Sequence, residues 1–178
     1  YEKLSYLNQG PLKLNELNEQ SYKNYEKNRK NGENESYICS LIRNDSVEEF
    51  ISYVNKNNIS LTSKIHESIF ETNCYLKYEM PTLIEYAAFF GAIQIFQYLQ
   101  MNNVNLNSSL WIYVIHSNNP DLIHIIENNH IDPPNNSFEK CLEESIKCHH
   151  NEIANYIIDN YLNEKYDSFP ICIQYYNF

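Results

Sequence analysis

The feature that most constrains this chain is that it overlays on itself. The segment AAFFGAIQIFQYL (87–99) aligns without a gap with VIHSNNPDLIHII (114–126) and SIKCHHNEIANYI (145–157), and more loosely with LIRNDSVEEFISYV (41–54). Each copy reads as a short helix with an apolar face, a tight polar turn and a longer amphipathic helix. The turns fall at Asp45, Gly91, Asn118 and His149, spaced 46, 27 and 31 residues apart. In the second helices, Ile95, Phe96 and Leu99 recur as Leu122, Ile123 and Ile126, then as Ile153, Ala154 and Ile157. An i, i+1, i+4 set of this kind marks one buried stripe. A helix pair of this size cannot bury its stripe alone, so the copies are expected to stack side by side.

Local chemistry supports the same layout. The chain has only three glycines, and one of them stands at a turn, Gly91. A left-handed turn after the first helix costs glycine little and is tolerable for Asn118 and Asp45, whereas His149 fits it less well. Ala87 and Ala88 are small where the first helices of neighbouring copies would approach closely. Asn119 followed by Pro120 reads as a capping residue with proline in the first turn of the helix.

The stretch TLIEYAAFFGAIQIFQYLQMNNVNLN (82–107) resembles the ankyrin-repeat family's Thr-Pro-Leu-His-x-Ala-Ala-x-x-Gly, its second helix and its closing Gly-Ala-Asp-Val-Asn. Thr82, Ala87, Ala88, Gly91, Asn105 and Asn107 carry the match; Leu83 stands at the proline position, Glu85 at the His position and Asn103 at the loop glycine. SLWIYVIHSN and KCLEESIKCH lack the Ala-Ala pair, while LIEYAAFFG, SLWIYVIHSNN and SIKCHHNEIANYI are similar to a large divergent group of such proteins from protists. The resemblance implies an all-α fold, an ankyrin-repeat solenoid of about four helix–turn–helix units over 36–165. The units fall near 36–57, 81–107, 108–134 and 138–163, with an insertion at 58–80 after the first. Residues 1–35 read as a polar helical cap or tail, with one helix in 13–30 ending near Gly32. Leu4, Leu7, Leu12, Leu14 and Leu17 are its apolar supply. Within the insertion, Ile65, Ile69 and Phe70 stand at helical spacing and predict a short extra helix, followed by a long loop before Pro81. Residues 166–178 read as the start of a further, truncated unit.

Charge narrows the function. The net charge is −10 and the pI about 5.0, the wrong sign for gripping a phosphate backbone. No apolar run approaches the ~20 residues of a membrane span. Five cysteines without a Cys-x-x-Cys pair suit reduced thiols and a cytoplasmic setting.

Chemistry-bearing clusters are sparse. CHHNE (148–152), with Cys141, offers zinc-type donors in Cys141, Cys148, His149 and His150. The two histidines fall in an inter-helix turn where polar residues are expected, so the reading is structural, with no metal and no cofactor. Glu143 and Glu144 are adjacent on a helix and read as a solvated face. His116, His124 and His130 read as surface or groove polar residues, and Trp111 as core.

The family resemblance implies a non-catalytic scaffold, not an enzyme, that binds another protein as a monomer through its concave face and loop tips. The alternative is a targeting or regulatory segment of a larger enzyme. By the same resemblance, the protein-binding positions are Pro81, Phe89 and Phe90, then Ser108, His116 and Ser117, then Glu139, Lys147 and Cys148, with Tyr113 bordering them. Phe89 and Phe90 are the natural anchors, unless the 58–80 insertion folds over them.

Overall fold

The computed structural model of the chain describes residues 19–162 and 166–177. Among these the fold is all-α: eleven α-helices, a 3-10 turn at Pro134–Asn136, and one isolated bridge between Lys64 and Thr82 in place of any strand. Four helix pairs follow in order. They are α2 (Tyr37–Arg43) with α3 (Val47–Asn57), α5 (Leu83–Phe90) with α6 (Ile93–Met101), α7 (Leu110–Ser117) with α8 (Pro120–Asn128), and α9 (Glu139–Lys147) with α10 (Asn151–Tyr161). α1 (Glu19–Asn31) precedes them, α4 (Cys74–Tyr78) lies in the insertion, and α11 (Phe169–Gln174) follows. None of these helices is long and apolar enough to cross a membrane.

The first helix of each pair packs on the next in chain order, α2 on α5, α5 on α7, α7 on α9 and α9 on α11, while α3 packs on α6. The two middle first helices are therefore enclosed. α5 is buried from Leu83 through Ala88, and α7 from Leu110 through Ile115. Ala87 and Ala88 have no exposed surface, in keeping with small residues at a close helix–helix approach. Each second helix instead buries a stripe: Ile95, Phe96 and Leu99 in α6, Leu122, Ile123 and Ile126 in α8, and Ile153, Ala154 and Ile157 in α10. Trp111 is core, and its indole N–H donates to the Ile131 carbonyl at 2.7 Å.

The turns are alike in backbone whatever their residue. Asp45 (φ 49°), Gly91 (φ 70°), Asn118 (φ 52°) and His149 (φ 59°) are all left-handed. The same conformation follows three of the second helices, at Asn58, Asn103 and His130. Helix starts are capped in several ways. Thr82 and Glu85 form a reciprocal capping box on α5, and Asn119 caps α8. α6 lacks a side-chain cap of its own. The Asp45 carboxylate, from the turn of the preceding pair, accepts from its Gln94 and Ile95 amides at 3.0 and 2.9 Å. A cap supplied by a neighbouring unit ties local helix ends to the stacking itself.

The insertion departs from its expected form. The helix is not at 65–70 but later, at α4, where the Asn73 side chain accepts from the Tyr75 and Leu76 amides. Ile65 is buried, Ile69 is 79% exposed, and Phe70 packs edge-on against Tyr25 of α1. Residues 63–65 lie against the start of α5: the Ile65 amide donates to the Pro81 carbonyl, and the Leu83 amide to that of Ser63. α1 ends at a left-handed Gly32, whose carbonyl accepts from the amide and hydroxyl of Thr72. The five leucines at positions 4–17 lie outside the described residues.

Candidate functional site

The site forms where Tyr75 of α4 reaches α7 and α9. Residues at i, i+3 and i+4 share one helix face, so Glu144, Lys147 and Cys148 project together from the end of α9. They meet His116, in the last turn of α7. Glu143, one position earlier, faces elsewhere and accepts from the Tyr175 hydroxyl at 2.9 Å. The expected solvated face therefore holds only in part: Glu144 is buried, with 5% of its surface exposed. Adjacent carboxylates on a helix point apart, and here one of them points inward.

Glu144 is the hub. Its carboxylate lies 3.0 Å from His116 Nε2, accepts from Lys147 Nζ at 3.1 and 3.3 Å, and accepts from the Tyr75 hydroxyl at 3.2 Å. Burial opposes its ionisation, but the His116 contact and the Lys147 ammonium outweigh burial and hold the carboxyl below its usual range. The Tyr75 phenol goes the other way. Burial, the Glu144 charge and the hydrogen bond to it push the phenol up, which keeps it a neutral donor. Tyr75 also packs edge-on against His116 and Tyr113, and Lys147 Nζ sits over its ring at 5.4 Å. A single tyrosine of the insertion thus roofs residues from α7 and α9.

Cys148 completes the cluster, with Sγ 3.5 Å from His116 Nδ1 and 3.9 Å from a Glu144 oxygen. Sulfur, imidazole and carboxylate stand in the order of an acyl-transfer triad. The electrostatics do not activate the sulfur as such a triad requires. Burial and the Glu144 charge push the thiol up to about 11, and Cys148 sits at the C-terminal end of α9, the negative end of a helix dipole. Reactive cysteines occupy the opposite environment. His116 Nε2, although close to Glu144, is turned so that it makes no aligned hydrogen bond and is buried without a hydrogen-bond partner.

The ten residues expected to face a partner separate into groups. Phe89, Tyr113, His116, Lys147 and Cys148 converge here: Phe89 stacks on the His116 ring at 4.8 Å, and Tyr113 meets Tyr75. Phe90 points toward the first pair, against Tyr86 and beneath the Arg43 guanidinium at 5.9 Å. Both phenylalanines are half-buried, and their ring contacts are with each other, His116, Tyr86 and Arg43. Pro81 is buried under the 63–65 segment and presents no side chain to a groove. The Ser117 hydroxyl is spent in its turn, donating to the Val114 carbonyl and accepting from the Asn119 amide. Ser108 and Glu139 are exposed.

The four zinc-type donors 141, 148, 149 and 150 do not come together. Cys141 is core, with its thiol pushed up to about 12 by burial; His149 is exposed in its turn; and His150 Nδ1 donates to the Ile115 carbonyl at 2.8 Å. Tyr75 and Glu144 are the residues that sequence reasoning missed. They are 69 positions apart, and neither lies on a repeating pattern that joins them.

Beside α4 the first-helix face stays open. A cleft of about 410 Å³ runs between α4 and the starts of α7 and α9, lined by Tyr75, Tyr78, Ser108, Tyr113, Pro134 and Lys140 among others. Compared with known proteins, the chain matches no family model, no curated protein and no solved structure.

Proposed function

We propose that the chain is a non-catalytic scaffold, an ankyrin-type solenoid of stacked helix pairs, that binds a segment of another protein along the face made by its first helices. The observation that carries this reading is the open cleft beside α4. Its walls combine aromatic side chains, among them an outward-facing Tyr78 that is 71% exposed, with the hydroxyl of Ser108 and the ammonium of Lys140. Aromatic anchors within a polar rim are what a protein-recognition surface requires. The order of first-helix contacts supports the solenoid: α2 packs on α5, α5 on α7 and α7 on α9. A net charge of −10 favours a basic partner surface.

In this reading α4 is part of the binding surface. Its Tyr75 fills the part of the face over His116 and leaves the part near Ser108 open. The test is affinity purification with mass spectrometry, comparing the full-length protein with a Tyr78→Ser, Ser108→Arg double variant. Both changes fall on exposed positions, so the fold is expected to persist, which circular dichroism checks. The reading predicts proteins captured by the wild type and lost with the variant. An identical captured set would contradict it.

A further inference from the structure

We propose that His116, Glu144 and Cys148 form a binding site for a thiophilic divalent metal ion of the zinc class, tying α7 to α9 beneath Tyr75. One ring nitrogen, one carboxylate oxygen and one sulfur, all within 4.8 Å of one another, meet at this point. It is the one such group of three or more donors among the described residues. In a tetrahedral zinc site with Zn–N near 2.0 Å and Zn–S near 2.3 Å, ligand atoms stand about 3.3–3.6 Å apart. Through His116 Nε2, the nitrogen-to-oxygen and sulfur-to-oxygen separations at Glu144 are 3.0 and 3.9 Å, on either side of that edge.

Two further features set the cluster apart from ordinary surface carboxylates. The Glu144 and His116 side chains are only 6% and 12% exposed, and His116 Nε2 is buried without a hydrogen-bond partner. A ring nitrogen left without a partner in a buried site is costly, and a bound cation would take it up. Charge closes as well. On binding, Cys148 releases its thiol proton to solvent, and one thiolate with one carboxylate neutralises a dication while the imidazole binds neutral. The field that disfavours a free thiolate at the end of α9 is the field that favours a cation there. Three protein donors leave a fourth position for water. The Tyr75 hydroxyl and Lys147 ammonium already hold the carboxylate from outside, the supporting contacts that metal ligands need.

The site does not depend on the partner-binding reading, and its test uses the purified full chain alone. Metal-free protein is titrated with Co²⁺ and then with Zn²⁺. The proposal predicts one equivalent of Co²⁺ with the strong visible absorption of a four-coordinate centre and a sulfur-to-cobalt charge-transfer band, both erased by Zn²⁺. Cys148→Ser removes the charge-transfer band, and Glu144→Gln weakens binding at least ~10-fold. Cys74→Ser, at an exposed thiol on α4, changes neither. In the unmutated chain, Zn²⁺ protects Cys148 from alkylation as read by peptide mass spectrometry, so the proposal stays testable if a variant fails to fold. A cobalt spectrum without the sulfur band, a band that survives Cys148→Ser, or alkylation of Cys148 unaffected by Zn²⁺ overturns it.

Discussion

At the scale of single residues, the four inter-helix turns form an experiment already arranged by the chain. Asp45, Gly91, Asn118 and His149 share one left-handed backbone but not one side chain. A Cβ at Gly91 would meet Asn119 and Ser117 at 3.5 Å and beyond, ordinary contact distances. Any penalty there comes from backbone conformation and not from a clash. Gly91→Ala is therefore expected to destabilise the fold by about 1 kcal/mol. His149 carries the same strain natively, and His149→Gly is expected to stabilise by about 0.5 kcal/mol. Denaturant midpoints of the two variants check both signs. Equal and null shifts would mean that the turns are not held left-handed. These positions were legible in the sequence because turn chemistry is local: polar residues and a scarce glycine recur at one place in each copy.

At the scale of elements, legibility divides along the same line. The buried stripes of α6, α8 and α10 follow from 3.6-residue periodicity, and each lies where that period puts it. α4 does not, because a five-residue helix shows no period, and its start is set by the Asn73 cap. Helical spacing at Ile65, Ile69 and Phe70 was a false signal: those residues serve three different contacts, with core, solvent and α1. The inter-unit cap on α6 was equally invisible, since Asp45 reads locally as a turn residue. Its carboxylate satisfies two amides at the start of α6, and Asp45→Ala is expected to cost about 1 kcal/mol. Amide hydrogen exchange at Gln94 and Ile95 should quicken in that variant. Unchanged exchange there would place the capping elsewhere.

At the scale of the whole molecule, the all-α class and the succession of helix pairs were readable from self-similarity. The candidate site was readable only in pieces. Phe89, Tyr113, His116, Lys147 and Cys148 were each marked by their place in the repeat, but what joins them is Glu144 below and Tyr75 above. Glu144 was hidden by its neighbour Glu143, since a charged pair on a helix looks solvated until one member is seen to face inward. Tyr75 was hidden by the insertion, whose path back across the first helices is a tertiary fact with no period to announce it. The insertion thus changes what the face offers: it roofs the polar cluster and moves the open surface toward Tyr78, Ser108 and Lys140.

In the proposed function a partner binds this first-helix face, with α4 as one wall. Hydrogen–deuterium exchange of the chain, free and with a partner captured by it, reads that docking residue by residue. Protection on binding is predicted in 74–79 and 108–113, the two walls of the cleft. Protection confined to the second helices, 47–57, 93–101, 120–128 and 151–161, would contradict it.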